Sequence, residues 1–508
     1  MRQRRSRHFL LLASLALLMW DRPAPLLCLG AQSFDGVQRP QSRFRRHQAR
    51  LSRQQRKTPA RRPSRSLGDD RPNVVLIISD DQGWTDYGMM EHPVIRTPTI
   101  DQLARNSATF LRGYVPTALC RPSLATMITG LYPHQHMITG NDPSPPQGLA
   151  GAVLEKDPGF RQQRAKLISQ IDRVATIPKL LAQRGYLSHQ SGKWWEGHHS
   201  RGGFTHGMTH GDPDRGGRHG DQGLKIGRQG LQPVFDFIDQ AEDQPYFLWY
   251  APFLPHTPHN PPERLLSKYR TAGRPIELAR YYAMCQWLDE TCGQLLDYVD
   301  KKGQRENTLV IYVTDNGWIQ RTPDTRVPAG WRHNFAPHSK QSPYDGGTRT
   351  PIMIRWPGKV RPGIRQQLAS SVDIAPTVLR ACGLEPPEEM EGLDLVDLAS
   401  KRGPARSHVF GESYAHDIVD LADPEKTLLY RWCIEDHWKL LVSYDGVLGR
   451  YQDVHPQTFS SHLLFDLAAD PHEHHDLSAR HPDVVNQLQS RLDTHWELKT
   501  AFPQQLKK

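Results

Sequence analysis

Asn73-Val74-Val75-Leu76-Ile77-Ile78-Ser79-Asp80-Asp81 reads as a buried strand that ends in two carboxylates. An unbroken β-branched run suits a parallel strand covered on both faces, where apolar and polar positions have no reason to alternate. The pattern returns in residues 309–313, Leu-Val-Ile-Tyr-Val, followed closely by Asp315-Asn316. Two such strands deliver their acidic ends to the carboxyl edge of a sheet, the edge at which open α/β folds bind substrates. Between them in sequence stands Cys120-Arg121-Pro122-Ser123-Leu124-Ala125-Thr126, running on to Thr129-Gly130, which puts one cysteine where a nucleophile would sit.

Apolar strands alternate with helical patterns along the next three hundred or so residues. Helices are expected near 99–106, from Pro122, and over 177–184, 234–241, 276–302 and 374–382, with strands at 246–251 and 351–355. This βα alternation marks a layered α/β domain. From about residue 400 the texture changes to short strands at 409–412, 428–434, 439–444 and 463–466, closed by an amphipathic helix over 482–496. That reads as a small antiparallel sheet with one covering helix. Segment 196–223, with nine glycines and five histidines, should be a loop.

A chain of 508 residues with 37% hydrophobic content can bury more than one core, and past its N-terminus it has no apolar run long enough to span a bilayer. Arg2, Arg4, Arg5 and Arg7 precede an apolar run at 9–20, and Gly30 and Ala31 follow it. This is a signal-peptide pattern, so residues 1–31 predict a secreted or periplasmic protein without a transmembrane anchor after cleavage. The net charge of +10 is unevenly spread: residues 1–72 hold seventeen Lys or Arg against four Asp, a balance of +13, which leaves −3 for the rest. The basic residues crowd into 39–66, whose Arg, Gln, Ser and Pro content cannot bury enough apolar surface to fold. Residues 32–72 therefore read as a disordered arm, either a solvated spacer or an electrostatic tether to anionic polymers, with no specific nucleic-acid motif. Domains are expected at 73–400 and 401–508. Past Cys28 the cysteines are Cys120, Cys285, Cys292, Cys382 and Cys433, too few for a disulfide framework. Cys285 and Cys292 lie about 10 Å apart along one expected helix and could not bond without distortion. Pairing of the remainder and buried free thiols both stay open.

Taken together, the cysteine segment and the flanking stretches resemble the type I sulfatases of the alkaline phosphatase superfamily, arylsulfatase-like enzymes whose nucleophile is a cysteine oxidised to formylglycine in a Cys-x-Pro-Ser-Arg motif. The other matching stretches are DDQGWTDYG at 80–88, SGKWW at 191–195, PHTPH at 255–259, TDNG at 314–317 and KQSPYDGGTRTP at 340–351, in the family's order. The resemblance extends from Asn73 to the C-terminus. It implies an alkaline-phosphatase-like α/β sandwich, a large mixed, mostly parallel sheet between helices, with a smaller C-terminal α+β subdomain built on an antiparallel sheet.

Asp80, Asp81, Asp315 and Asn316 offer a hard, oxygen-only donor set that suits Ca²⁺ or Mg²⁺ rather than zinc. The resemblance implies that these four and residue 120 hold Ca²⁺, and that Cys120, Lys193, His256 and Lys340 are catalytic. A sulfate ester is a tetrahedral anion, so its hydrolysis needs cations around the oxygens and an acid for the leaving alcohol. The two lysines supply the first, and His256 the second. In the implied mechanism one hydroxyl of hydrated formylglycine attacks sulfur, and the second expels sulfate from the covalent adduct. A serine lacks that second hydroxyl. A formylglycine-generating maturation enzyme is the implied partner, and a sulfated carbohydrate or other sulfate ester the implied substrate.

Two positions depart from the family pattern. Leu124 replaces the motif's arginine, and Trp195 replaces a second histidine after Gly-Lys-Trp. Arg121 or a loop histidine, His198, His199 or His219, is a candidate stand-in. Competing readings are a phosphodiesterase or phosphonate hydrolase on the same scaffold and a catalytically silent polyanion-binding homologue.

Overall fold

The computed structural model describes residues 71–211, 218–400, 405–455 and 461–499, all within one compact unit. The expected signal peptide and nearly all of the basic arm lie outside the described residues.

In chain order the strands are β1 (Asn73–Ser79), β2 (Ala108–Tyr114), β3 (Asp142–Pro143), β4 (Leu187–Gly192), β5 (His206–Gly207), β6 (Tyr246–Ala251), β7 (Thr308–Thr314), β8 (Arg349–Arg355), β9 (Gly363–Ser370), β10 (His408–Tyr414), β11 (Asp417–Ile418), β12 (Leu428–Glu435), β13 (Trp438–Ser443) and β14 (His462–Asp466). Eight form a mixed sheet in the order β5-β4-β6-β1-β7-β8-β2-β9, parallel except where β8 pairs antiparallel with β7 and β2. The β-branched runs of β1 and β7 are fully buried and sit side by side at its centre, with Ser79 opposite Thr314. Their register places Asp80-Asp81 next to Asp315-Asn316 at one edge, which is the consequence of two parallel strands that stop at the same level.

A second sheet, β10-β12-β13-β14, is wholly antiparallel. One face receives Leu488 and Leu492 of the helix Pro482–His495, and the other packs on Tyr114, Tyr344 and Leu368 of the larger domain. Buried Lys439 on β13 joins the two parts, with Nζ 2.9 Å from Asp345 and 2.8 Å from Glu473. Asp345 follows the Lys340 segment, so the small sheet braces one wall of the edge where the acidic groups meet. The five cysteines of the described residues are buried free thiols, which settles the pairing alternatives in favour of thiols. Among the described residues no helix is long and apolar enough to cross a membrane.

Candidate active site

Cys120 opens the helix Cys120–Thr129, all ten residues of which are buried. Leu119 before it is extended, Pro122 falls in the first turn where a missing N–H costs nothing, and Gly130 ends the helix at φ +70°. The helix N-terminus, with its partial positive charge, thus begins at the cysteine. Ser123 Oγ donates to the Asp315 carbonyl at 2.5 Å and ties this helix to the turn after β7.

The residues expected at the site converge on Cys120. Lys340 Nζ stands 3.2 Å from Cys120 Sγ and 2.6 and 2.7 Å from the two Asp81 carboxylate oxygens. Lys193 Nζ bonds Asp80 Oδ1 at 2.7 Å and lies 3.8 Å from Asp315 Oδ2. His256 Nε2 is 3.3 Å from Asp81 Oδ2, while its Nδ1 faces the Thr257 carbonyl at 2.6 Å. Asn316 Nδ2 donates to Asp81 Oδ1 at 2.7 Å, and the Asp81 amide donates to Asp315 Oδ1 at 3.0 Å.

The backbone is specialised where these side chains are delivered. Asp81 and Gln341 hold φ of 61° and 63°, a left-handed conformation uncommon outside glycine, and such residues cluster at functional sites. Gly192, at φ +85°, precedes Lys193 so closely under β6 that a Cβ would come 1.8 Å from the Ala251 carbonyl oxygen. The Lys193 amide then donates to that oxygen at 2.8 Å, which fixes the direction of its side chain.

The charges do not balance. Asp80, Asp81 and Asp315 are buried beside two ammonium groups, a deficit of one positive charge. Burial, together with the mutual repulsion of the carboxylates, pushes Asp80 well above the usual range despite Lys193, and raises Asp315 likewise. Burial is the largest single influence on Lys193 and Lys340 and opposes their charge, but the surrounding acidic groups, Asp80 and Asp81 foremost, together outweigh it and raise both. Asp80 Oδ2, Asp315 Oδ2 and Asn316 Oδ1 are buried without a hydrogen-bond partner among the described residues. Ligand atoms of Asp80, Asp81, Cys120 and His256 also lie within 4.8 Å of one another. Orphaned oxygens and surplus negative charge fit a hard divalent cation. Burial pushes the Cys120 thiol up to about 12, against both lysines.

The stand-ins for the two departures separate clearly. Leu124 is packed in the apolar cluster with Ala125 and Ile128. Arg121 is committed elsewhere: Nε and Nη2 bond Glu196 at 2.8 and 2.6 Å, and Nη1 donates to the Asn141 carbonyl at 3.1 Å. His198 and His199 lie against each other in a tilted pair, ring centroids 4.1 Å apart, out in the loop. Only His219 of the three approaches the site, 5.1 Å from the Trp195 ring and 5.4 Å from Phe253. Phe253 stacks on His256 at 4.3 Å, and Arg228 holds this corner by donating to the Phe253 and His256 carbonyls, each at 2.8 Å. Glu196, Phe253 and Arg228 were not identified from sequence; the one signal was that Glu196 directly follows SGKWW. A second acidic group, Asp142 with His416 and Asp417, is paired with Arg218 and Arg450 and has no charge left over.

Comparison with known proteins agrees with this geometry. The Sulfatase family model matches residues 72–384, and a model of the C-terminal region of N-sulphoglucosamine sulphohydrolase matches 334–497. The chain is 30% identical to human arylsulfatase A over 403 residues, 68% of this chain and 72% of that protein. It is 26% identical to human N-acetylgalactosamine-6-sulfatase over 487 residues, 85% and 87% of the two chains. A solved complex with D-glucosamine-2-N,6-O-disulfate shares the fold at TM-score 0.62 and 19% identity, covering 84% of this chain and 97% of that one. The chain therefore belongs to the type I sulfatases of the alkaline phosphatase superfamily, and is a sulfuric ester hydrolase.

Proposed function

We propose that this sulfatase removes sulfate from a sulfated carbohydrate through formylglycine at position 120, with Ca²⁺ held by Asp80, Asp81, Asp315 and Asn316. The observation that carries the reading is the convergence of Lys193, Lys340 and His256 on Cys120 beside a carboxylate cluster short of positive charge. The carbohydrate class draws on the sugar sulfates that relatives are named for. Burial pushes the Cys120 thiol up to about 12, so the unmodified side chain stays protonated at neutral pH and is a poor nucleophile. The hydrated aldehyde would supply a nucleophilic hydroxyl, and the cation would lower its pKa and share the charge of the sulfate oxygens.

The chain's own residues account for the remaining needs. Lys193 and Lys340 are held charged in a buried pocket, where their attraction for sulfate oxygens is weakly screened. The sulfur–oxygen ester bond breaks, and His256 Nε2 gives its proton to the departing alcohol oxygen. Its Nδ1 is occupied by the Thr257 carbonyl, which fixes the ring so that Nε2 faces the pocket. Burial and then the two lysines hold the His256 pKa well below 6.5 in the absence of substrate. A bound sulfate offsets those lysine charges and restores its capacity to carry a proton.

His256→Ala should lower kcat for a sugar sulfate by about 10²- to 10⁴-fold and for 4-nitrophenyl sulfate much less, because nitrophenolate leaves without protonation. Equal losses on the two esters would argue against the acid role. We further propose secretion through residues 1–31; N-terminal sequencing of protein from its native host should find that segment removed.

A further inference from the structure

A cavity of about 310 Å³ lies where segment 326–344 of the larger domain meets the C-terminal sheet, near the lower end of the range for small-molecule sites, about 300 to 1,000 Å³. None of the residues that converge on Cys120 lines it. Trp331, Tyr344 and Tyr430, all buried, supply its ring walls, and Pro328, Pro337 and Pro343 add further apolar lining. Its polar side chains are mostly committed within the chain: Trp331 Nε1 donates to the Phe335 carbonyl at 2.8 Å, and Ser342 Oγ donates to the Ser339 carbonyl at 2.6 Å. Two groups are left over. His455, 4% exposed, has its Nε2 buried with no hydrogen-bond partner among the described residues, where such atoms are bonded as a rule. Arg326 lines the cavity from an exposed position and has no ion pair among the described residues.

We propose that this cavity binds an aromatic carboxylate with one hydroxyl on its ring, and that the occupant is an effector of the enzyme and not its substrate. The ring packs among Trp331, Tyr344 and Tyr430. The carboxylate pairs with Arg326 at the mouth, and the hydroxyl bonds His455 Nε2 inside. Burial holds His455 down to about 3, against the charge of Asp453, so the imidazole is neutral and can bond a hydroxyl as donor or acceptor. A sugar fits poorly, because most of its hydroxyls would lose water among these rings and prolines without gaining a partner. The route to the reaction is a shared wall. Pro337, His338, Pro343 and Tyr344 line the cavity, and Lys340 between them reaches Cys120 Sγ at 3.2 Å. His338 and Gln341 hold φ of 59° and 63°, and the His338 ring stacks on Tyr344 at 3.7 Å. Backbone in that left-handed region persists only where packing holds it. A ligand seated against Tyr344 therefore favours one arrangement of the segment and biases where the Lys340 ammonium stands.

The probe is 4-hydroxybenzoate, followed by ligand-observed NMR, with benzoate and galactose for comparison. Wild-type protein should bind 4-hydroxybenzoate about tenfold more tightly than benzoate, the effect of one hydrogen bond in a closed site, and should bind galactose least. His455→Phe keeps a ring in place and should bind the two acids equally. Arg326→Gln, at an exposed position where folding is not at stake, should weaken both acids about fivefold, since an ion pair at the mouth stays partly in solvent. In turnover of 4-nitrophenyl sulfate, 4-hydroxybenzoate should change kcat at least twofold with little effect on KM, and Arg326→Gln should raise the concentration required about fivefold. Equal binding of the two acids by wild-type protein, tighter binding of galactose, or indifference to Arg326→Gln would overturn the site. An effect on KM alone would place the ligand in the active site, and binding that leaves turnover unchanged would overturn the effector role. The NMR arms need no turnover, so failure of the chemistry proposed for residue 120 leaves the test of the cavity readable.

Discussion

Cys120→Ala should reduce sulfate-ester turnover to background, a loss of about 10⁴-fold or more, with little change in melting temperature. A nucleophile that acts as one unit with its activating groups takes nearly all of their effect with it when removed. Stability should survive because the change removes only the small functional group of a 2%-exposed side chain and leaves the Lys340–Asp81 and Lys193–Asp80 pairs in place. Cys120→Ser gives a sharper result. A serine hydroxyl can take up sulfate but has no second hydroxyl to expel it, so a single burst of alcohol release, at most one per protein molecule, should precede arrest. Continued turnover by the serine variant would rule out the aldehyde mechanism. So would an unmodified thiol at position 120, found by mass spectrometry in active protein from the native host. Leu124 bears on the same question. It is buried in an apolar cluster, so an arginine placed there would need a carboxylate partner, and Glu196 already pairs with Arg121. Leu124→Arg should therefore lower stability even where it improves recognition by a maturation enzyme, a cost read directly as a drop in melting temperature.

What could be read from the chain alone follows from which interactions are local. The central strands were legible because β1 and β7 are buried on both faces and need no polar alternation. The acidic pairs were legible because they end those strands. By contrast β4 is equally buried but reads Leu-Ser-His-Gln-Ser-Gly, and apolar periodicity gives no sign of it. Its polar groups are satisfied by partners distant in sequence: Ser191 Oγ donates to the Trp249 carbonyl at 2.9 Å, and Gln190 Oε1 accepts from the Thr209 amide at 3.0 Å. Strand β9 was missed for a different reason, since at the sheet edge its mixed sequence Gly-Ile-Arg-Gln-Gln-Leu-Ala-Ser stays partly exposed. At the site, the catalytic candidates came from motifs, whereas the Arg121–Glu196 pair and the approach of His219 to Trp195 and Phe253 depend on packing between segments distant in sequence. Sequence could name His198, His199 and His219 as alternatives, and only packing distinguishes them.

Removal of divalent cations should abolish turnover and lower the melting temperature, and Ca²⁺ should restore both. Three buried carboxylates share two ammonium groups, and three oxygens, Asp80 Oδ2, Asp315 Oδ2 and Asn316 Oδ1, lack partners, so the folded chain carries a repulsion that a cation relieves. A ligand at 100 times its dissociation constant adds about 2.7 kcal/mol to stability, enough to move the melting temperature by several degrees in a chain of this size. The pH dependence has a definite sign. Asp80 and Asp315 have folded-state values raised above their unfolded ones, so without metal they favour the folded state at low pH, and that stability is lost as pH rises through the raised values. Bound Ca²⁺ requires the ionised carboxylates, so its stabilising effect should instead grow as pH rises through the same range. The difference in melting temperature between chelated and Ca²⁺-loaded protein should therefore widen as pH rises above the usual carboxylate range. Asp315→Ala should remove both the Ca²⁺ shift and its pH dependence, and reduce kcat by about 10³-fold, the loss expected from one preorganised charge at a reacting centre. A melting temperature indifferent to Ca²⁺ at every pH, or recovery of activity with Zn²⁺ alone, would show that these oxygens do not hold the ion proposed.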